Sequence, residues 1–440
     1  MNINDYMFAK KIDKTDWLNS IKMSVGLPYF GGKSVIGRYI FNNIFNLSVE
    51  MKRQGNTPDI FIDAFCGGGK MALSVPKGWY DTIVINDMDY GVYSYYKCCK
   101  ENYLALIEMI EKIGDIMSKD VFYLSAYIRR FGIGVDKWND DKPDIVTKEE
   151  EVLDPLAAAA LTYWVTSSAF NNQTAPDSTT YNLYRIPRDE NGNPLEKNSE
   201  GYVDNKREEQ DNIKKIIAKA KKNIPKLHQQ LNSMDYRIEN LDYRELIKKY
   251  NGLPYKNLQG EEQQADRSLK TKNKLWYFDP PYHPLCLYAG EDAPYADTFS
   301  EKMANEMVDI LAGDRESEFG EIPYFIKSDY DPKHTLEIAK RDVDDSSIKP
   351  QRKEWYQKIL YMEAGDNEYN KDVGKRKWYP KMISTIFDKL EKFPFCKICV
   401  GGFDKGTVQG NGEKGIGQEY IWCRGFPEGY ADIKEVPAKE

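Results

Sequence analysis

Two short apolar runs, each broken off by glycine or acid, constrain this chain more than any other feature. Residues 59–65 (Asp-Ile-Phe-Ile-Asp-Ala-Phe) read as a buried strand, Cys66-Gly67-Gly68-Gly69 breaks it, and a helix begins over Lys70 to Val75. A second strand, Thr82-Ile83-Val84-Ile85, stops at Asn86-Asp87, and a helix follows from about Tyr90 through Met117, in one or two pieces. This strand–loop–helix–strand–acid order opens a doubly wound α/β sheet. Such sheets bind their ligands outside the carboxyl ends of the strands.

Three features stand at predicted carboxyl ends. The first is Phe65-Cys66-Gly67-Gly68-Gly69. Glycines let a backbone approach a ligand closely, although a plain tight turn uses the same residues. The second is Asp87, whose carboxylate suits the two hydroxyls of a ribose and would serve equally as a helix N-cap. The third is more specific. The run Leu275-Trp276-Tyr277-Phe278 ends in Asp279-Pro280-Pro281-Tyr282. Prolines fix the backbone and remove its donors. The loop is left with a carboxylate and a carbonyl as acceptors beside an aromatic face. That set can hold a flat, amine-bearing ring by stacking while accepting hydrogen bonds from its NH₂.

Further along, residues 152–170 read as a largely buried helix. Residues 173–206 are a loop or hairpin excursion rich in Asn, Asp, Gly, Pro and Tyr. Ile213, Ile216, Ile217, Ala220, Ile224 and Leu227 recur at spacings of three and four, which predicts an amphipathic helix over 207–231 that Pro225 kinks or ends. Residues 256–274 are polar surface loop. Pro323 to Ile326 is a strand, and Cys396 to Val400 with Glu419 to Cys423 are two last strands, read as a hairpin.

Composition sets the outer limits. The 440 residues are 41% apolar and 30% charged, enough to bury a core and to exclude global disorder. No apolar run approaches the roughly 18 residues of a membrane span, and residues 1–16 lack a signal layout, so no membrane partner is expected. Seven cysteines, with Cys98 and Cys99 adjacent, argue against a disulfide framework and for the reducing cytoplasm. Cys396-x-x-Cys399 lacks a second cysteine pair, so no metal site is expected. A net charge of −7 excludes a uniformly basic coat. It leaves room for two basic islands: residues 206–226 hold eight Lys/Arg against three Asp/Glu, and residues 349–381 nine against five.

Taken in order, these segments resemble the Dam-type adenine-N6 DNA methyltransferases (the D12 class, with a D-P-P-Y catalytic loop). Leu27-Pro28-Tyr29-Phe30-Gly31-Gly32-Lys33 resembles the family's aromatic-x-G-G-K segment. Phe61 to Gly69 resembles its F-x-E-P-F-x-G-x-G cofactor loop, with Asp63 for Glu and Ala64 for Pro. Asn86-Asp87-Met88-Asp89 resembles its ribose-binding turn, and Asn240 to Glu245 its strand-end aspartate near the cofactor adenine. Ala169-Phe170-Asn171-Asn172 resembles an aromatic-Asn helix end beside the flipped base, Tyr277 to Leu285 the catalytic loop, and Ser328-Asp329-Tyr330-Asp331 the S-N-x-D segment after it.

The resemblance implies a Rossmann-like α/β S-adenosylmethionine-dependent methyltransferase sheet with an inserted, mostly helical target-recognition domain. Residues 1–145 form its cofactor-binding part, 146–231 the insert and 232–440 the catalytic part. It implies methyl transfer to the N6 amine of a flipped adenine in double-stranded DNA. The implied catalytic residues are Asp279, Pro280, Pro281 and Tyr282. The implied S-adenosylmethionine contacts are Tyr29, Gly32, Lys33, Asp63, Phe65, Gly67, Gly69, Asp87 and Asp242. Phe170, Asn171, Arg185 and Arg188 are the candidate DNA contacts. The hairpin Tyr181 to Arg188 departs from the arginine-and-glycine-rich one of family members that methylate GATC, so that target is not expected. A monomer is expected. Two other readings stay open: an RNA-adenine or cytosine-N4 methyltransferase, and a DNA-reading module that has lost catalysis.

Overall fold

The computed structural model describes residues 26–29, 37–131, 135–139, 142–145, 153–169, 181–183, 205–281, 301–330, 339–346, 396–405 and 415–427, with a few single positions besides. Its main sheet contains β1 (Ile60–Asp63), β2 (Thr82–Asn86), β3 (Asp235–Glu239), β4 (Lys274–Phe278), β5 (Phe325–Tyr330), β6 (Cys396–Lys405) and β7 (Gly415–Arg424). The spatial order is β3-β2-β1-β4-β5-β7-β6. β3 through β5 are parallel. β7 lies antiparallel to β5, and β6 antiparallel to β7. The first five positions follow the nucleotide-binding α/β order, with its switch point between β1 and β4. The expected late hairpin exists and folds back so that its second strand pairs with β5. The fold is Rossmann-like, α/β with a mostly parallel central sheet.

Both faces of the sheet are covered, which is why the strands read as unbroken apolar runs. Phe61, Ile83, Ile85, Leu275 and Tyr277 enter one core. Their neighbours Ile60, Ile62, Val84, Trp276 and Phe278 enter the other. The first core is closed by α1 (Gly37–Arg53), α2 (Lys70–Ser74), α3 (Tyr90–Glu101), α4 (Tyr103–Ile116), α5 (Lys119–Phe131), α6 (Pro155–Ser168) and α7 (Asn205–Leu231). The second is closed by α8 (Tyr243–Tyr250), α9 (Glu301–Ala312) and α10 (Glu316–Phe319).

The helix expected from Tyr90 is two helices, broken at Asn102, which ends α3 and starts α4. α6 begins where Asp154 caps the amides of Leu156 and Ala157 and Pro155 takes the first turn. Ala158, Ala159 and Ala160 bring it close to its neighbours, and Trp164 donates to the carbonyl of Ile110 at 2.9 Å.

Of the two outcomes expected at Pro225, the end does not occur: α7 continues past it to Leu231. An interior proline costs roughly 3 kcal/mol. Burial of Ile216, Ala220, Ile224, Leu227 and Leu231 outweighs it, at about 1.5–3 kcal/mol for each of the larger side chains. The opposite face, with Lys214, Lys215, Lys219, Lys222 and Lys226, is exposed. α6 and α7 thus share the main core with α3, α4 and α5. Between them, Ala169 bridges Tyr181, Asn182 donates to the carbonyl of Ser168 at 2.9 Å, and Asn212 holds the carbonyl of Leu183 at 2.7 Å. These contacts anchor residues 181–183 between the end of α6 and the start of α7. No described helix is long and apolar enough to cross a membrane.

Candidate active site

The carboxyl ends of β1, β2, β3 and β4 converge on one cleft. It is lined by Tyr29, Ala64, Phe65, Gly67, Asn86, Asp87, Met88, Asp89, Leu241, Asp242, Tyr243, Asp279, Pro281, Phe299 and Met303. The empty space in it, open solvent included, is about 670 Å³.

The floor is the glycine loop after β1. Gly67 and Gly69 have φ of 44° and 66°, a region where a Cβ is costly. Gly67 also lies under Tyr29, and a Cβ there would stand 2.8 Å from the tyrosine ring. Tyr96, from α3, donates to the carbonyl of Gly67 at 3.2 Å and accepts from the amide of Leu27 at 3.3 Å. The N-terminal strand 26–29 is thereby laid across the loop. A Cβ on Gly26 would collide with the carbonyl oxygen of Gly68. Because that neighbour is backbone, Gly26→Ala is expected to cost about 1–3 kcal/mol, read as a lowered midpoint in denaturant melts. An unchanged midpoint would mean that segment 26–29 is not held there.

Asp87 closes the loop from the β2 side. One carboxylate oxygen accepts from the amide of Gly67 at 2.8 Å, the other from the amide of Asp89 at 2.9 Å. The Cys66 thiol also points at the oxygen that Gly67 holds, at 3.9 Å. Asn86 is a staple: its amide donates to the carbonyls of Ala64 and Leu241 at 2.9 and 3.0 Å, and its oxygen accepts from the Leu241 amide at 3.0 Å. Asn240 repeats the tie, donating to the carbonyls of Asp87 and Met88. Asp242 caps α8 at the Arg244 amide and pairs with the Arg244 guanidinium through both oxygens. Phe65, Tyr243 and Phe299 pack ring against ring as an apolar wall, with Phe65 and Phe299 edge to face at 5.9 Å.

The sequence-predicted residues divide into three groups. Tyr29, Phe65, Gly67, Asp87, Asp242, Asp279 and Pro281 all line the cleft. Asp63, Gly69 and Pro280 are not among its lining residues. Gly69 starts α2, and Asp63 is buried at the end of β1, where it accepts from the Ala72 amide at 3.2 Å. Gly32, Lys33, Phe170, Asn171, Arg185, Arg188 and Tyr282 lie outside the described residues. Cys66 is buried in the loop, and its thiol is pushed far up by burial and by Asp87, so it is no nucleophile. The lining residues that sequence reading did not name as ligand contacts are Ala64, Asn86, Met88, Asp89, Leu241, Tyr243, Phe299 and Met303. The first six lie inside the motifs already singled out; Phe299 and Met303 carried no signal.

An open, mostly parallel sheet with a glycine-floored, acid-rimmed cleft at its switch point is a Rossmann-like arrangement, in which ligands bind at that point. Residues 29–185 match the family of D12 class N6 adenine-specific DNA methyltransferases, and that stretch carries the family's domain. No curated protein matches the chain. The matched residues supply the glycine loop and Asp87. Asp279 and Pro281 lie beyond them, and the fold brings them to the same cleft.

Proposed function

We propose that this chain is a DNA methyltransferase that uses S-adenosylmethionine to methylate the N6 amine of an adenine flipped out of duplex DNA. The observation that carries this reading is the meeting of the glycine loop, Asp87 and Asp279 in one cleft, from strands adjacent at the switch point. The donor set fits the cofactor. Asp87 offers acceptors to a ribose, and Phe65, Tyr243 and Phe299 offer an apolar slot to a purine.

S-adenosylmethionine supplies an electrophilic methyl group. The rest falls to this chain's own residues. An adenine amine attacks poorly because its lone pair is delocalised into the ring. Asp279 and the carbonyl of Pro280 are assigned to accept hydrogen bonds from that amine, which favours a more tetrahedral nitrogen. Tyr282 is assigned to stack on the base. The gain comes from positioning and fixed charge. Extrusion of the base costs a few kcal/mol, and Phe170 and Asn171 are assigned to the gap. The exposed lysines of α7 suit phosphates, which set register without reading sequence.

The test is a transfer assay on long unmethylated duplex DNA with labelled S-adenosylmethionine, with digestion of the product to nucleosides. Labelled N6-methyldeoxyadenosine is expected. Label only in a cytosine product, or only when RNA replaces DNA, would overturn the substrate.

A further inference from the structure

Behind the rim of the cleft lies a buried ion pair that the reading above does not use. Arg129, in the last turn and a half of α5, has a fully buried side chain, and the Asp89 side chain facing it is 9% exposed. The contact is bidentate: Nη1 donates to Oδ1 at 3.0 Å and Nη2 to Oδ2 at 2.8 Å. Nη1 also reaches Oγ1 of Thr162 on α6 at 3.3 Å. Asp89 caps α3, accepting from the amides of Gly91 and Val92 at 2.8 and 3.1 Å. The packing here is tight, because a Cβ on Gly91 would collide with Oγ1 of Thr162 and stand 2.9 Å from Arg129 Nη1. Burial alone would raise the carboxyl pKa of Asp89. The charge and hydrogen bonds of Arg129 and the two amides hold it below its ordinary value, so the pair is ionised.

The backbone of Asp89 is what orients Asp87, since its amide holds Oδ1 of that carboxylate. A capping aspartate could hold the start of α3 without an arginine. The guanidinium adds a tie from this turn to two further helices, one of which leads into the segment after residue 169. We propose that Arg129 is a positioning residue for cofactor binding, acting through Asp89 to fix the Asp87 carboxylate and tying it to α5 and α6. The proposal rests on the cofactor reading of the cleft. Its geometry is specific to a planar fork, which lysine does not reproduce.

The test is calorimetric titration of the full chain with S-adenosylmethionine, with a melting temperature for each variant. Arg129→Lys and Arg129→Met are each expected to weaken Kd about tenfold or more, and in turnover to raise KM for the cofactor more than they lower kcat. Arg129→Met strands a buried charge and is expected to melt low. The double variant Asp89→Asn/Arg129→Met removes both charges and is expected to regain most of the melting temperature while its Kd stays weak. A purely structural pair would recover both together, so wild-type affinity in the folded double variant overturns the positioning role alone. Failure of the wild-type protein to bind S-adenosylmethionine overturns the cofactor reading and the positioning role with it.

Discussion

Replacing Asp279 with alanine is expected to lower kcat by about 10²–10³-fold or more, the scale of losing one fixed electrostatic contact to the reacting group. Affinity for S-adenosylmethionine should change little. The argument is geometric. Asp279 follows β4, which is hydrogen-bonded on both sides, to β1 and to β5, so its main chain is held by the centre of the sheet. The residues assigned to the cofactor, Gly67, Asp87 and Asp242, come from β1, β2 and β3 instead. Asp279→Asn keeps the volume and one acceptor oxygen and is expected to fall between the two. Single-turnover kinetics, with calorimetric binding alongside, separates the effects. Full turnover by Asp279→Ala would sink the catalytic assignment. Loss of cofactor binding with the fold intact would move Asp279 from the amine to the cofactor. The alanine variant should also resist alkaline denaturation better than the wild type, because the negative charge of Asp279 raises the pKa of buried Asp63. An inactive variant that is more stable at high pH is what a strained, functional carboxylate predicts.

How much of this was legible beforehand follows from how local each signal was. β1, the glycine loop, α2 and β2 lie within some thirty residues, and period, breakers and acid spell them out in order. The expected cleft residues Phe65, Gly67, Asp87 and Asp279 come from such strand–loop junctions. What escaped is held by partners far away in the chain. Asn86 looked like part of a ribose turn, but its amide ties the ends of β1 and β3 together, and its partner Leu241 is 155 residues away. Phe299 and Met303, just before and within α9, reach the cleft through a core shared with β4, which no local pattern announces. Nothing in the sequence singled out Arg129, and only the fold brings Asp89 to it. The helix over 152–170 was visible as buried. Its packing into the core with α3, α4 and α5 was not, because an alanine-rich helix has no face that names its neighbours. Of the kink or stop expected at Pro225, the stop is absent for a similar reason: local propensity was outvoted by burial along the whole of α7.

Asp63→Asn is expected to change the pH dependence of stability more than any other single substitution here. Asp63 is 1% exposed at the end of β1. One oxygen accepts from the Ala72 amide at 3.2 Å, and the other is buried without a hydrogen-bond partner. Burial first, then the negative charge of Asp279, lifts its pKa to about 8, against the opposing pull of the Ala72 amide. An unfolded aspartate titrates near 3.9. Between those values the native state holds a proton that the unfolded chain has lost. The stability this confers is complete below about pH 4 and is lost as pH rises through about 8, at up to about 1.4 kcal/mol per pH unit. The whole span is about 6 kcal/mol as an upper bound, comparable to the total stability of many domains. Asparagine cannot ionise, so this slope should vanish. Its NH₂ would take the place of an oxygen that has no hydrogen-bond partner among the described residues, an offset of about 1–3 kcal/mol that does not depend on pH. The two stability curves should therefore cross, the wild type being the more stable at pH 5 and the variant at pH 9. Urea melts at half-unit intervals between those limits measure it. Parallel curves would mean that Asp63 is ionised throughout and paired with a cation from outside the described residues. Crossing curves would mean that the folded chain holds Asp63 protonated below about pH 8, so that this buried carboxyl adds no charge of its own beside the cleft.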